Sequence, residues 1–94
     1  VVNVRFYIDP ETDDPLIYIH DVDENEVAEV LARPQEDRQG RDDSRIALGQ
    51  TRAGRYLRVI YVRDKNEDSV FVITAYDLSA KEKQALRRRR RKRP

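Results

Sequence analysis

The sequence predicts an α+β domain: an antiparallel sheet of four or five strands, one amphipathic helix packed on it, and a basic helix at the C-terminus. Three observations lead there. Apolar residues alternate with polar ones over strand-length runs in the first eight residues and again beyond Tyr56, one capped segment carries apolar residues at helical spacing, and ninety-four residues leave room for a single domain.

Val2, Val4, Phe6 and Ile8 alternate with Asn3, Arg5 and Tyr7, the period of a half-buried strand that Asp9-Pro10 stops. Leu16 to His20 is a short apolar run, read as the second strand of a hairpin with the first, although a lead-in to a helix is equally short and apolar. Asp23 opens the best-marked helix. Glu26 stands three residues on for a capping box, Val22 and Val27 are spaced for a hydrophobic staple, and Val27, Val30 and Leu31 follow i, i+3, i+4 before Pro34 closes the segment near Arg33. Gln35 to Ser44 is wholly polar and reads as a mobile surface loop. Arg45 to Gly49, Tyr56 to Arg63 and Ser69 to Tyr76 then read as strands whose short connections force antiparallel neighbours, the last apolar on both faces and so placed inside the sheet. Ser79 and Glu82 repeat the capping-box spacing, so a basic helix begins at Ser79, with order beyond about Arg90 expected to require a partner.

The charge is divided along the chain. The segment 81–94 holds nine of the nineteen Lys and Arg beside one acidic residue, Glu82, which leaves a body, 1–80, with ten basic and seventeen acidic side chains. A run of like charge repels itself unless a polyanion or an acidic protein neutralises it, and phosphate binding through such a tail is salt-dependent and nearly blind to sequence. The alternative is a solubilising tail with no single partner.

Composition excludes several chemistries. Without Cys there is no disulfide and no thiol nucleophile, and a single His makes a zinc site implausible, so neither a metal nor another cofactor is expected. Gly40, Gly49 and Gly54 lack phosphate-loop spacing, and Ser44, Ser69 and Ser79 lack the context of a nucleophile elbow. Asp13-Asp14 and Asp42-Asp43 read as solvated loop charges. No run approaches the ~20 apolar residues of a membrane span, and the first residues lack a signal peptide's basic start and apolar run, so a cytoplasmic protein is expected.

The candidate site residues follow from this. His20 ends an apolar run just before a helix start, where an imidazole can serve as a general acid or base or can simply pack at the sheet edge. Arg45, Arg55, Arg58 and Arg63 sit on or beside the central strands. Arg58 shares a face with Tyr56, Ile60 and Val62, and arginine beside tyrosine on a sheet can hold a phosphate and stack a base, or can be an exposed charge balanced by the acidic loops. The C-terminal helix follows the strand directly and can bring Lys81, Lys83 and Arg87 to the same face, with Arg88, Arg89, Arg90 and Arg91 extending the nucleic-acid contact.

In order, H-D-V-D-E-N-E-V-A-E-V-L, G-R-Y-L-R-V-I-Y-V and F-V-I-T-A-Y-D-L-S-A-K-E-K resemble the BrnT-like toxins and related small uncharacterised bacterial domains, over about residues 16–87. The matching places are His20-Asp21-Val22, Gly54-Arg55, and Ile73-Thr74-Ala75 with Ser79 and Glu82; Phe71 and Tyr76 stand where the toxin pattern has arginines. The resemblance implies a RelE/ParE-like fold, a type II toxin paired with an antitoxin protein, and RNA cleavage without a metal. His20 or Tyr76 would then handle protons while Arg58, Lys81 and Lys83 hold charge, with Arg45, Arg55 and Arg87 to Arg91 binding the nucleic acid. A non-catalytic nucleic-acid-binding module and a protein-interaction domain are the alternatives, and whether the chain pairs into a homodimer is left open by the sequence.

Overall fold

The computed structural model describes residues 3–65 and 68–91. Five strands, β1 (Asn3–Phe6), β2 (Glu36–Gln39), β3 (Arg45–Gln50), β4 (Tyr56–Arg63) and β5 (Ser69–Asp77), form one sheet in the order β1-β5-β4-β3-β2, with helices α1 (Glu24–Ala32) and α2 (Ala80–Arg91) and a short 3-10 helix at Leu16–His20. The fold is α+β with a mostly antiparallel sheet: β2, β3, β4 and β5 pair antiparallel, and β1 runs parallel to β5.

Strand alternation divides the apolar side chains between two faces. Leu57, Val59 and Tyr61 of β4 and Val72 and Ala75 of β5 meet Val27 and Val30 of α1 and Ile17 of the 3-10 helix in the larger core. The intervening positions face the other way, where Leu48 and Leu78, with Ile46 and Tyr56 beside them, receive Leu86 of α2. Leu86 is fully buried, and removing a leucine side chain from water stabilises the docking of α2 by about 2 kcal/mol. The two helices therefore cover opposite faces. Gly49 permits the close approach on the α1 side, since a Cβ there would lie 3.1 Å from Val30 Cγ1. Gly54, at φ +95°, makes the β3–β4 turn.

Both capping boxes form. The Glu26 amide donates to Asp23 Oδ1 at 2.8 Å and the Asp23 amide to Glu26 Oε1 at 3.1 Å, while Glu82 N to Ser79 Oγ and Ser79 N to Glu82 Oε1 measure 3.1 and 3.0 Å.

Three expectations are corrected. Leu16–His20 is a 3-10 helix rather than a hairpin strand: Tyr18 N–H donates to the Pro15 carbonyl, Asp21 closes the turn in the left-handed region at φ 58°, and β1 pairs with β5 instead, leaving only a bridge between Ile8 and Pro15. The sheet is not wholly antiparallel. Short connections dictate direction only for consecutive strands, and β1 meets a partner most of the chain away, so a parallel pairing costs no tight turn. The polar stretch expected to be a loop contains β2, an edge strand whose alternate side chains find charged partners rather than a core: Asp37 bonds Arg45 and Tyr61 on the α1 side, and Glu36 bonds Arg89 on the α2 side. Charged edges of this kind also resist pairing with another chain. Among the described residues no helix is long and apolar enough to cross a membrane.

Candidate functional site

The α2-covered face gathers rings and cations. Arg58 and Tyr76 are cross-strand partners on β4 and β5, with the guanidinium carbon 6.0 Å from the ring centre. β1 pairs only with the first part of β5, and the 3-10 helix packs against β5 as well, so His20 lies beside Tyr76 with ring centres 5.5 Å apart and planes tilted by 59°. Two residues before Arg58, Tyr56 receives Lys83 Nζ at 6.0 Å and Arg87 at 5.7 Å over its ring. Farther along the same face, Arg5 lies 5.4 Å from the centre of Phe71, whose ring stands perpendicular to that of Tyr7 with centres 6.5 Å apart.

Charge reinforces this sidedness. α1 carries three glutamates and no basic residue, whereas α2 carries seven basic residues and one glutamate. Among the described residues Lys81, Lys83, Arg87, Arg88 and Arg91 form no side-chain ion pair, so their charge is available to an outside anion. Arg89 is held by Glu36 through Nε and Nη2, and Arg90 donates to the Gln35 carbonyl at 3.4 Å.

Arg58 donates from Nη2 to Glu82 Oε2 at 2.6 Å, while its Nε and the nearby Thr74 Oγ1 are buried without a partner among the described residues. Donation from the Ser79 amide, and then the Arg58 charge, hold the Glu82 carboxyl below the usual range against a partial desolvation. Asp77 is likewise held down, chiefly by its hydrogen bonds to Arg55, with smaller attraction from Lys83 and His20.

His20, Arg58, Tyr76 and Lys83 thus come together at one end of the face. Lys81 is exposed on the first turn of α2, and Arg88 and Arg91 are exposed near its end. Arg45 and Arg55 stand apart. Arg45 bonds Asp37 at 2.8 Å on the α1 side, and its proton is held more tightly because of that bond. Arg55 is spent inside the fold on Asp77, Glu26 and the carbonyls of His20 and Asp21. Tyr56 carries two cations, and sequence reasoning already placed it on the face of Arg58; Glu82 was read as a helix cap and, with Thr74, as part of the family resemblance, with no sign that either lies beside Arg58.

A separate cleft of about 450 Å³ lies on the opposite face, between Leu31 and Pro34 on one side and Asp37, Tyr61, Arg63 and Val70 on the other. Burial, and then the Asp37 hydrogen bond, raise the Tyr61 pKa there, so its hydroxyl stays protonated. Among the described residues no three His, Cys, Asp or Glu side chains converge to hold a metal ion.

Residues 20–77 match the model of a family described as Domain of unknown function (DUF4258). The matched span begins at His20 and ends at Asp77, so it takes in His20, Arg58 and Tyr76 and leaves β1 and α2 outside. No curated protein and no solved structure matches the chain.

Proposed function

The chain belongs to the DUF4258 family, and from the geometry of its sheet we propose that it acts on RNA, as a metal-independent endoribonuclease of the toxin type held in check by an antitoxin protein. One observation carries the reading: four basic side chains, Arg5, Arg58, Lys83 and Arg87, lie over aromatic rings on the same face of the sheet. Rings that stack bases, interleaved with cations that meet phosphates, suit a single strand, which exposes both. The unpaired cations of α2 lengthen that footprint along the backbone. The resemblance to BrnT-like toxins supports the same substrate, and the cytoplasm is where such a protein would meet it.

Cleavage needs a base for the ribose 2′-hydroxyl, charge for the phosphorane and an acid for the departing oxygen. His20 accepts the 2′-hydroxyl proton as that oxygen attacks the adjacent phosphorus, Arg58 and Lys83 stabilise the added negative charge, and the Tyr76 hydroxyl protonates the 5′-oxygen as the P–O bond breaks. The products are a 2′,3′-cyclic phosphate and a 5′-hydroxyl. A second reading, binding without cleavage, is favoured by Glu82, whose carboxylate already engages Arg58.

The test is a labelled RNA incubated with the purified chain in excess chelator. Cleavage that His20→Ala, Arg58→Ala and Tyr76→Phe each diminish, with folding intact, is expected. Binding without cleavage selects the second reading, and neither binding nor cleavage overturns both.

A further inference from the structure

Among the described residues two arginines fill both side-on donors, Nε and Nη2, on one carboxylate. Arg55 fills both on Asp77, at 2.7 and 3.0 Å, and Arg89 fills both on Glu36, at 2.6 and 3.0 Å. Arg58 fills only one. Its Nη2 meets Glu82 Oε2 at 2.6 Å, and its Nε is buried with no partner among the described residues. The Glu82 carboxylate is shared between two donors, Oε1 accepting from the Ser79 amide at 3.0 Å and Oε2 from Arg58 Nη2, and neither oxygen accepts from the Arg58 Nε. The hydroxyl of Thr74, two residues before the cross-strand partner of Arg58, is also buried and unpartnered. Two orphaned polar groups thus lie as diagonal neighbours on one sheet face, where a buried donor without an acceptor is unfavourable.

We propose that the Arg58 fork and the Thr74 hydroxyl form a subsite for a phosphoryl oxyanion, and that Glu82 is the internal carboxylate an incoming phosphate displaces. The inference rests on the RNA reading above and adds its gate. A phosphodiester presents two non-bridging oxygens, so one can take Nη2 and the other Nε, completing the bidentate pair that Glu82 leaves half made. A third contact, from the Thr74 hydroxyl, then satisfies the second orphan. Glu82 keeps its bond to the Ser79 amide when it leaves Arg58, so α2 need not unwind. In the free protein the same carboxylate screens Arg58 from weakly held anions, which makes this cation answer to a well-placed phosphate rather than to any polyanion.

Two measurements test it. In the wild-type chain, the Arg58 Nε–H resonance is followed by NMR as inorganic phosphate, and separately a single-stranded RNA oligonucleotide, is added; a saturable shift is expected with each. RNA affinity is then compared for Glu82→Gln, which retains an amide oxygen for the cap, for Arg58→Gln and for the double variant. Glu82→Gln should bind about fivefold tighter, a gain of the size one partly exposed ion pair can withhold, and the gain should vanish in the Arg58→Gln background. An equal gain in the Arg58→Gln background marks a general charge effect and overturns the subsite, as does RNA binding that leaves the Arg58 Nε–H unmoved. A phosphate-induced shift without RNA binding by any variant upholds the subsite and sinks the RNA reading instead.

Discussion

Arg55 donates through Nε and Nη2 to the two oxygens of Asp77 and, through its remaining nitrogen, to the Asp21 carbonyl at 2.6 Å. One guanidinium thereby ties the start of β4 to the end of β5 and to the close of the 3-10 helix, and Nη2 also meets the His20 carbonyl at 3.1 Å. The position of His20 beside Tyr76 depends on this clamp. Arg55→Ala removes the charge that Asp77 and Glu26 face, and is expected to lower stability by about 2–3 kcal/mol, less than for a fully buried pair because Asp77 is half exposed. Urea unfolding measures it. A loss below about 0.5 kcal/mol, the scale of an ordinary surface substitution, contradicts the clamp.

Acid should unfold the protein through the same carboxylates. Asp77 is held down first by its hydrogen bonds to Arg55, Asp64 first by Ser69 and then Arg5, and Glu82 first by the Ser79 amide. Each has a folded pKa below its unfolded value, so the unfolded chain binds more protons between the two. The stabilisation from these groups is fully present above the unfolded carboxylate range, about pH 4–5, and is lost as pH falls through the lower folded values. Thermal unfolding followed from pH 7 to pH 2 should show midpoints that fall below about pH 4. Midpoints that rise on acidification through that range contradict the assignment.

Much of the fold was legible because its determinants are local. The capping boxes at Asp23 and Ser79 mark both helix starts, and the short links around Gly54 and Asp64 fix β3, β4 and β5 as antiparallel neighbours. What stayed hidden depends on distant partners. β2 has no apolar period to read, since Glu36 and Asp37 are satisfied by Arg89 and Arg45, and the direction of β1 is settled by β5 far along the chain. Arg58 and Tyr76 were readable as neighbours because the strands that carry them are joined by a short turn. Arg55 was not separable from Arg58, since nothing local shows that Asp77 and Glu26 close around it.

The proton-transfer roles proposed for His20 and Tyr76 separate from binding in steady-state kinetics. Tyr76→Phe keeps the ring beside His20 and over which Arg58 lies, and removes only the hydroxyl. It and His20→Ala are each expected to reduce kcat by about 100-fold with little change in KM, the lower range for a general acid or base. An unchanged kcat in either variant removes that residue from the chemistry.

Replacing Arg87 to Arg91 with Gln tests the electrostatic footprint. Arg87 lies over Tyr56 and Arg88 and Arg91 are unpaired among the described residues, whereas Arg89 is held by Glu36. RNA affinity should fall steeply, and the slope of log K against log salt should shrink by roughly 2 units, as expected if about three of the five meet phosphates. An unaltered slope means that α2 does not touch the RNA.

The proposed RNA contact is tested most directly by which face of the sheet responds to an added strand. Amide and side-chain NMR of the labelled chain, recorded as a single-stranded oligonucleotide is added, should move Tyr56, Arg58, Thr74, Tyr76 and Lys83 while Val30, Leu31 and Tyr61 on the α1 side stay still. Perturbation centred on the cleft beside Tyr61 and Arg63, with the α2 side unmoved, contradicts it.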